Sequence, residues 1–232
     1  MRNSRVIDAD AGQESVAAGV GLGLVHPESP PPFVEPALST REAVLQAAEI
    51  RLAEVGWQSL SFRDLATRLG MRAPSIHYHF PSKTDLGIAL INRMRNVRML
   101  REQDLVAEFP SQRERLLALG SLLLEHDADV SSNYTISPFQ AEFAVLPEAM
   151  QQLVTAWIDE CLSSITSWLE AGQHSGEFVF PGSAHLQALV VWSVLEQGYQ
   201  LHRTHPDTDS LALVRQVVDT LSPSVLLQEK FS

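Results

Sequence analysis

Apolar residues recur along most of this chain at spacings of three and four, the repeat of a helix with one buried face. The first clear case is Val44, Leu45, Ala48, Leu52 and Val55. Ser39 or Thr40 stands ahead of it as an N-cap, Glu42 lies in its first turn, and Gly56 follows as a C-terminal cap. A second helix starts at Ser61, with Asp64 three residues on, a shortened relative of the capping box. Its core face is Phe62, Leu65, Ala66 and Leu69, and Gly70 stops it. A third, short helix carries Pro74 in its first turn, where a missing N–H costs little. Pro81-Ser82 then breaks the chain. Ser82 with Asp85 caps a fourth helix that runs through Leu86, Leu90, Met94 and Val97 toward Val106.

Beyond Phe109-Pro110 the spacing stays helical, and it predicts helices over about 111–128, 137–144, 147–172, 183–203 and 209–221. Breaks fall at Asn133, Pro138, Pro147, Gly172 to Gly176, Pro181-Gly182 and Pro206. No alternating strand pattern and no internal repeat is present, so the predicted class is all-α. Residues 1–37 are rich in Gly, Ala, Ser and Pro, hold neither period, and read as a disordered, solvated arm. Three regions follow. They are the arm, a three-helix unit over 38–95, and a helical domain over 96–232.

Within the three-helix unit, residues 60–83 have a distinctive layout: short amphipathic helix, glycine turn, short helix, proline-serine break. The second of these helices pairs an apolar Ile76 with Ser75, His77, Tyr78 and His79, which have little reason to be buried together. This is the layout of a helix-turn-helix whose second helix lies in the DNA major groove. Net charge, −11 overall, argues against a polyanionic partner until its distribution is read. Residues 40–101 hold ten basic and five acidic side chains, whereas residues 102–232 hold five basic and eighteen acidic ones. Duplex DNA is attracted by the one segment that carries the helix-turn-helix pattern.

The stretch from Thr40 to about Arg95 resembles the DNA-binding domain of TetR-family transcriptional regulators. The resemblance rests on Ala47-Ala48 and Leu52 before Gly56, Leu60-Ser61-Phe62-Arg63-Asp64-Leu65-Ala66 and Leu69-Gly70-Met71. Ser75-Ile76-His77-Tyr78-His79-Phe80 and Ser82-Lys83-Thr84-Asp85-Leu86 complete it, over roughly a quarter of the chain. It implies a homodimer, a double-stranded palindromic DNA operator, and a helical C-terminal half that holds a small-molecule effector and the dimer interface. Repression relieved by that effector is the implied activity. Position by position, it places Ala73, Ser75, His77, Tyr78 and His79 on the DNA-reading helix, Arg63 at the start of the helix before it, and Lys83 at the start of the next. Arg72 stands where the family often has a capping Ser or Thr, which weakens a cap and adds a cation near DNA. His77 stands where the family often has Tyr. A histidine facing phosphates favours its protonated form and would make binding pH-sensitive, while one that bonds a phosphate or structure at any pH would not.

The remaining chemistry is sparse. Cys161 is the single cysteine, which rules out an intrachain disulfide, and its apolar helical setting reads as a small buried hydrophobe in a protein of a reducing cytoplasm. No apolar run approaches the roughly 20 residues of a membrane span, and the N-terminus lacks the apolar core of a signal peptide. Histidines invite a metal hypothesis, but His126, Asp127 and Asp129 point apart on a helix, and His174, His185, His202 and His205 lie at helix ends or loops. No metal or cofactor is expected. A Gly-rich phosphate loop, a serine elbow and HExxH are all missing, so no catalytic site is expected either. Aromatic residues on the C-terminal helices build core, interface or an apolar ligand cavity. The residues expected to line such a cavity are Glu142, Phe143, Trp157, Trp192, Glu196 and Tyr199. Homodimerisation is expected through the last two long helices, whose Val190, Val191, Val194, Leu195, Leu213, Val214, Val217 and Leu221 exceed one chain's needs. Two other readings remain open: a structural DNA binder without an effector, and a small-molecule binder that has lost DNA affinity.

Overall fold

In the computed structural model, which describes residues 39–124, 136–205 and 207–222, the caps read from the sequence set the starts of the first helices. Ser39 Oγ accepts from the Glu42 N–H and opens α1 (Thr40–Ser59). Ser61 Oγ accepts from the Asp64 N–H and opens α2 (Phe62–Arg68). α3 (Ala73–His79) starts on Arg72 without a side-chain cap, with proline in its first turn. Ser82 and Asp85 form a complete capping box at the head of α4 (Lys83–Glu108). Among the described residues all regular structure is helical. The arm at 1–37 and the trio His126, Asp127 and Asp129 lie outside the described residues.

α1 to α3 form a head around a core of Val44, Leu45, Ala48, Leu52, Leu65, Ala66, Ile76 and Phe80, all buried. Fully burying one such side chain is worth roughly 1.5–3 kcal/mol, so a handful holds three short helices together. α4 has 26 residues, which at 1.5 Å per residue spans about 39 Å. Its first half buries Leu86, Leu90, Ile91 and Met94 with the head. Its second half runs into a body built from α5 (Gln112–Leu124), α6 (Ser137–Ala141), α7 (Glu148–Ser175), α8 (Ala184–Thr204) and α9 (Ser210–Thr220). α7 packs along α8 and α4, and α9 closes against α5 and α8.

Three boundaries differ from the sequence pattern, each for a local reason. Gly56 has φ +78°, as a helix-ending glycine should, but one further turn follows it, so α1 is bent rather than stopped. A side chain at Gly56 would also collide with Glu142, whose Oε1 lies 2.2 Å from where a Cβ would stand. The helix expected over 137–144 is divided into α6 and a single 3₁₀ turn, Phe143–Val145. The residue at the division is Glu142, whose carboxylate is drawn away to the N–H of Gln58 at 2.8 Å. α7 continues past Gly172 to a left-handed cap at Gly176. Gly172 lies inside the helix and has no room for a side chain, because Phe178 folds back over it and fills the place of a Cβ.

Two routes join head to body. One is α4 itself. The other is the seat of α1 on α6, where Trp57 meets Phe139 at 5.9 Å between ring centroids and Glu142 bonds Gln58.

Candidate nucleic-acid interface

Exposure divides α3 as the sequence pattern predicts. Ile76 is fully buried while Ser75, His77 and Tyr78 face outward, and Tyr78 is 84% exposed. Ala73 and His79 are half-buried at the edges of that face. His77 leans on Phe62 of α2 in an edge-to-face contact, 4.6 Å between centroids, and Tyr78 stands edge-on to His79 at 5.1 Å. The reading face is therefore a row of small polar and aromatic groups braced by neighbouring rings.

Ion pairs decide which cations are available beside it. Glu54 accepts from Arg68 at 2.8 Å and from Arg51 at 2.9 Å, and Arg51 also binds Asp64. These contacts tie α2 to α1, and the hydrogen bonds from Arg68 and Arg51 hold the Glu54 carboxyl below its ordinary range. On α4, Arg93 pairs with Glu42 and Glu49, Arg95 with Glu160, and Arg98 with Glu102. Arg63 and Arg72 are exposed and form no ion pair among the described residues. The positive charge of residues 40–101 is thus largely spent on holding helices together. What is left over sits at the starts of α1, α2 and α3, as Arg41, Arg63 and Arg72, and at Lys83.

Lys83 is placed differently from a simple surface cation. Its ammonium donates to the Gln58 carbonyl at 3.0 Å and lies 4.7 Å from the centre of the Trp57 ring. Partial burial lowers its pKa, opposed by the nearby Glu142 carboxylate. It closes the corner between the end of α1 and the start of α4.

The six residues expected to line a ligand cavity are dispersed. Glu142 sits at the head–body junction, and Phe143 lies on the partly exposed 3₁₀ turn. Trp157, Trp192 and Tyr199 are buried in the body. Glu196 is largely buried and accepts from the Ser137 hydroxyl; burial raises its carboxyl pKa, against the pull of Ser137 and Arg98. Around these lies a polar cluster that sequence reading missed. Arg98, only 2% exposed, rests 5.5 Å over the Trp192 ring and donates through Nε to Glu102 at 2.8 Å. Ser164 donates to the other oxygen of Glu102 at 3.1 Å. The signal was present as an arginine on the apolar stripe of α4, one turn after Met94, but a helical pattern alone does not separate it from a solvated arginine.

Cys161 is buried beside this cluster, and burial pushes its thiol up to about 12, so it carries no thiolate chemistry. Glu49 is a second acid that the sequence pattern did not single out. It is 2% exposed on α1, its pKa is pushed up to about 8 by burial, and Arg93 donates to it at 2.7 Å. Among the described residues no group of three or more His, Cys, Asp or Glu side chains converges as a metal site. None of the described helices is long and apolar enough to cross a membrane.

This geometry agrees with comparisons to known proteins. The family profile for bacterial regulatory proteins of the tetR family matches residues 44–90, from the core of α1 to the first half of α4. Over 54 residues the chain is 43% identical to the class C tetracycline repressor protein of Escherichia coli, a match that covers 23% of this chain and 25% of that one. The chain spans about a quarter of the length of the curated relatives it matches. Solved structures extend the likeness through the body. A TetR-family transcriptional regulator from Agrobacterium tumefaciens is 26% identical with a TM-score of 0.74, covering 78% of this chain and 97% of that one. A TetR regulator from Legionella pneumophila is 27% identical with a TM-score of 0.71, covering 80% and 98%. Residues 44–90 thus carry the DNA-binding domain of the tetR family of bacterial regulatory proteins, and the chain as a whole, helix-turn-helix head and all-helical body, is similar to TetR-family transcriptional regulators over nearly their full length.

Proposed function

We propose that this chain is a cytoplasmic, homodimeric transcriptional repressor that is not an enzyme, that binds a palindromic operator and that a small molecule releases. The observation that carries the DNA-binding reading is the outer face of α3. Ser75, His77 and Tyr78 are presented together there, and Arg63 and Arg72 flank them free of acidic partners. Short polar side chains reach base edges, and Tyr78 bonds phosphate and packs on sugar. Ala73 and His79 border the same groove, and Arg63 and Arg72 neutralise phosphates. Lys83 contributes from the helix corner, its ammonium held over the Trp57 ring by the Gln58 carbonyl.

The dimer is proposed through α8 and α9. Val191, Leu195, Val214 and Leu221 are already buried in the chain's own core, so the surplus is smaller than the sequence pattern suggested. It consists of Leu186, Leu189 and Val190 on α8 with Leu213 on α9, and Leu186 is 61% exposed. Leu186 and Val190 are one turn apart, and a second copy would cover such a stripe by helix packing. Two heads related by a twofold need half-sites a helical turn or more apart, about 34 Å centre to centre.

Effector binding is supported by a groove of about 350 Å³ between α4 and α7, the size of a small-molecule site. α4 carries both the groove and the head, so a ligand that prefers one placement of α4 shifts the spacing of two heads. Titrating the protein against DNA from upstream of its own gene, with nonspecific DNA as control, tests the reading. Tight, salt-dependent and sequence-specific binding is expected. Equal affinity for both DNAs would remove the regulator reading.

A further inference from the structure

Two arginines are buried in the body, and they are satisfied differently. Arg115 on α5 sends both Nη groups to protein acceptors, the carbonyls of Phe109, at 2.7 Å, and Val106, and the Gln112 side chain, and leaves only its Nε, outside the α4–α7 groove, without an acceptor. It closes the end of α4, as a cation at a helix C-terminus does. Arg98 has no such architectural task. Its Nε and Nη2 both converge on one oxygen of Glu102, each at 2.8 Å, and only Nε is aligned to donate. Nη2 has no hydrogen-bond partner although the side chain is 98% buried. Glu102 cannot take both donors in the usual fork, because its second oxygen holds Ser164.

A buried guanidinium N–H without an acceptor has given up its hydration for nothing, and where it lines a groove a ligand can supply the missing acceptor. Arg98 lines the α4–α7 groove together with Met99, Glu102, Trp157 and Ser164. The acids nearby do not fill the need. Glu160 is held by Arg95, and Glu196 is turned to Ser137. The floor of the groove therefore combines an under-satisfied cation with apolar surface from Trp157 and Met99.

We infer that this groove binds a small amphipathic carboxylate, whose carboxylate accepts from the Nη edge of Arg98 while its apolar chain lies along Trp157 and Met99. The inference deepens the effector reading above and rests on it. An anion that competes with Glu102 for Arg98 acts on α4 directly, five residues after Arg93, which grips α1 of the head through Glu42 and Glu49.

Isothermal titration of the full chain with octanoate, 1-octanol and octylammonium tests it. Octanoate is expected to bind at least tenfold more tightly than the alcohol, and octylammonium not at all. Arg98→Met, which keeps the volume and removes the charge, should erase the preference for octanoate. Glu102→Gln, which keeps a side chain for Ser164 and removes the competing charge, should strengthen octanoate severalfold; it decides the matter if Arg98→Met does not fold. Equal affinity for acid and alcohol, preference for the amine, no octanoate binding, or an unaltered preference in folded Arg98→Met would each overturn the proposal. Operator affinity measured in the same samples separates the two readings. A different molecule that frees DNA without any carboxylate preference leaves effector control standing and removes this inference. Octanoate bound through Arg98 with operator affinity unmoved keeps the site and removes effector control.

Discussion

The head and the body place their charges in opposite ways. In the head, aliphatic residues fill the interior with Glu49 as a buried acid, held by Arg93, and polar and aromatic groups of α3 stand outside. In the body, charged groups such as Arg98 and Glu196 are inside, while Leu186, Leu189 and Val190 are outside. Each inversion costs stability that a simple core would not lose, because a buried charge gives up solvation and an exposed apolar stripe gains nothing from folding. Functional surface can thus be recognised by where the ordinary burial rule is broken. The head breaks it at Glu49 and, in the proposed reading, works from its outer face. The body breaks it twice, once at the stripe proposed to meet a partner and once at the groove proposed to take a ligand.

The largest effect should come from the outer inversion. Leu186→Arg with Val190→Arg places two charges on the proposed interface without touching the body core. Sedimentation should show a monomer, and operator affinity should fall by about 100-fold or more as two linked heads become one. Unchanged dimerisation would move the interface elsewhere.

Next in size is the head's core. Ile76 is fully buried beneath the reading face, and Ile76→Ala should cost about 2–5 kcal/mol in urea unfolding, with operator binding lost. A loss below about 1 kcal/mol would mean that α3 is not held by this contact.

Arg93→Met probes the hinge between the two regions by leaving Glu49 buried without its cation. A carboxyl whose folded pKa is raised from 4.5 toward about 8 binds more protons folded than unfolded between those values. Stability of the intact chain should therefore fall as pH rises through that window, and that of the variant should fall further, because loss of the cation raises the Glu49 pKa again. A gap between the two that does not widen with pH would show that Glu49 stays charged or finds another partner.

Smaller still are the phosphate contacts. Arg63→Ala should weaken all DNA sequences alike and reduce the salt slope by about one, whereas Ser75→Ala should alter base preference. Lys83→Met, which keeps an unbranched side chain beside Trp57, separates charge from packing: lost affinity with stability retained marks a phosphate contact.

Much of the head was legible in the sequence because its determinants are local. Ser39, Ser61 and Ser82 each cap within three residues, Pro74 acts where it stands, and Ile76 differs from its neighbours on a single turn, whereas Gly56 bends α1 without ending it. The body's helices were legible for the same reason, apart from the division at Glu142 and the extension beyond Gly172. Its polar cluster was not. Arg98, Glu102, Ser164 and Glu196 come from α4, α7 and α8, and nothing in their spacing says that they meet. Glu142 was misjudged by the same limit, since its partner Gln58 is 84 residues away. Charge counting had a related weakness. It found the basic segment but did not show that most of its arginines are paired internally, leaving Arg41, Arg63 and Arg72.

The most direct test of the account is a footprint of the full chain on the DNA upstream of its own gene. Two protected half-sites related by a twofold, a helical turn or more apart, are predicted, with protection lost in the Ser75→Ala, His77→Ala double variant. Protection without twofold symmetry, or a footprint that survives that variant, would contradict a dimer that reads DNA through α3.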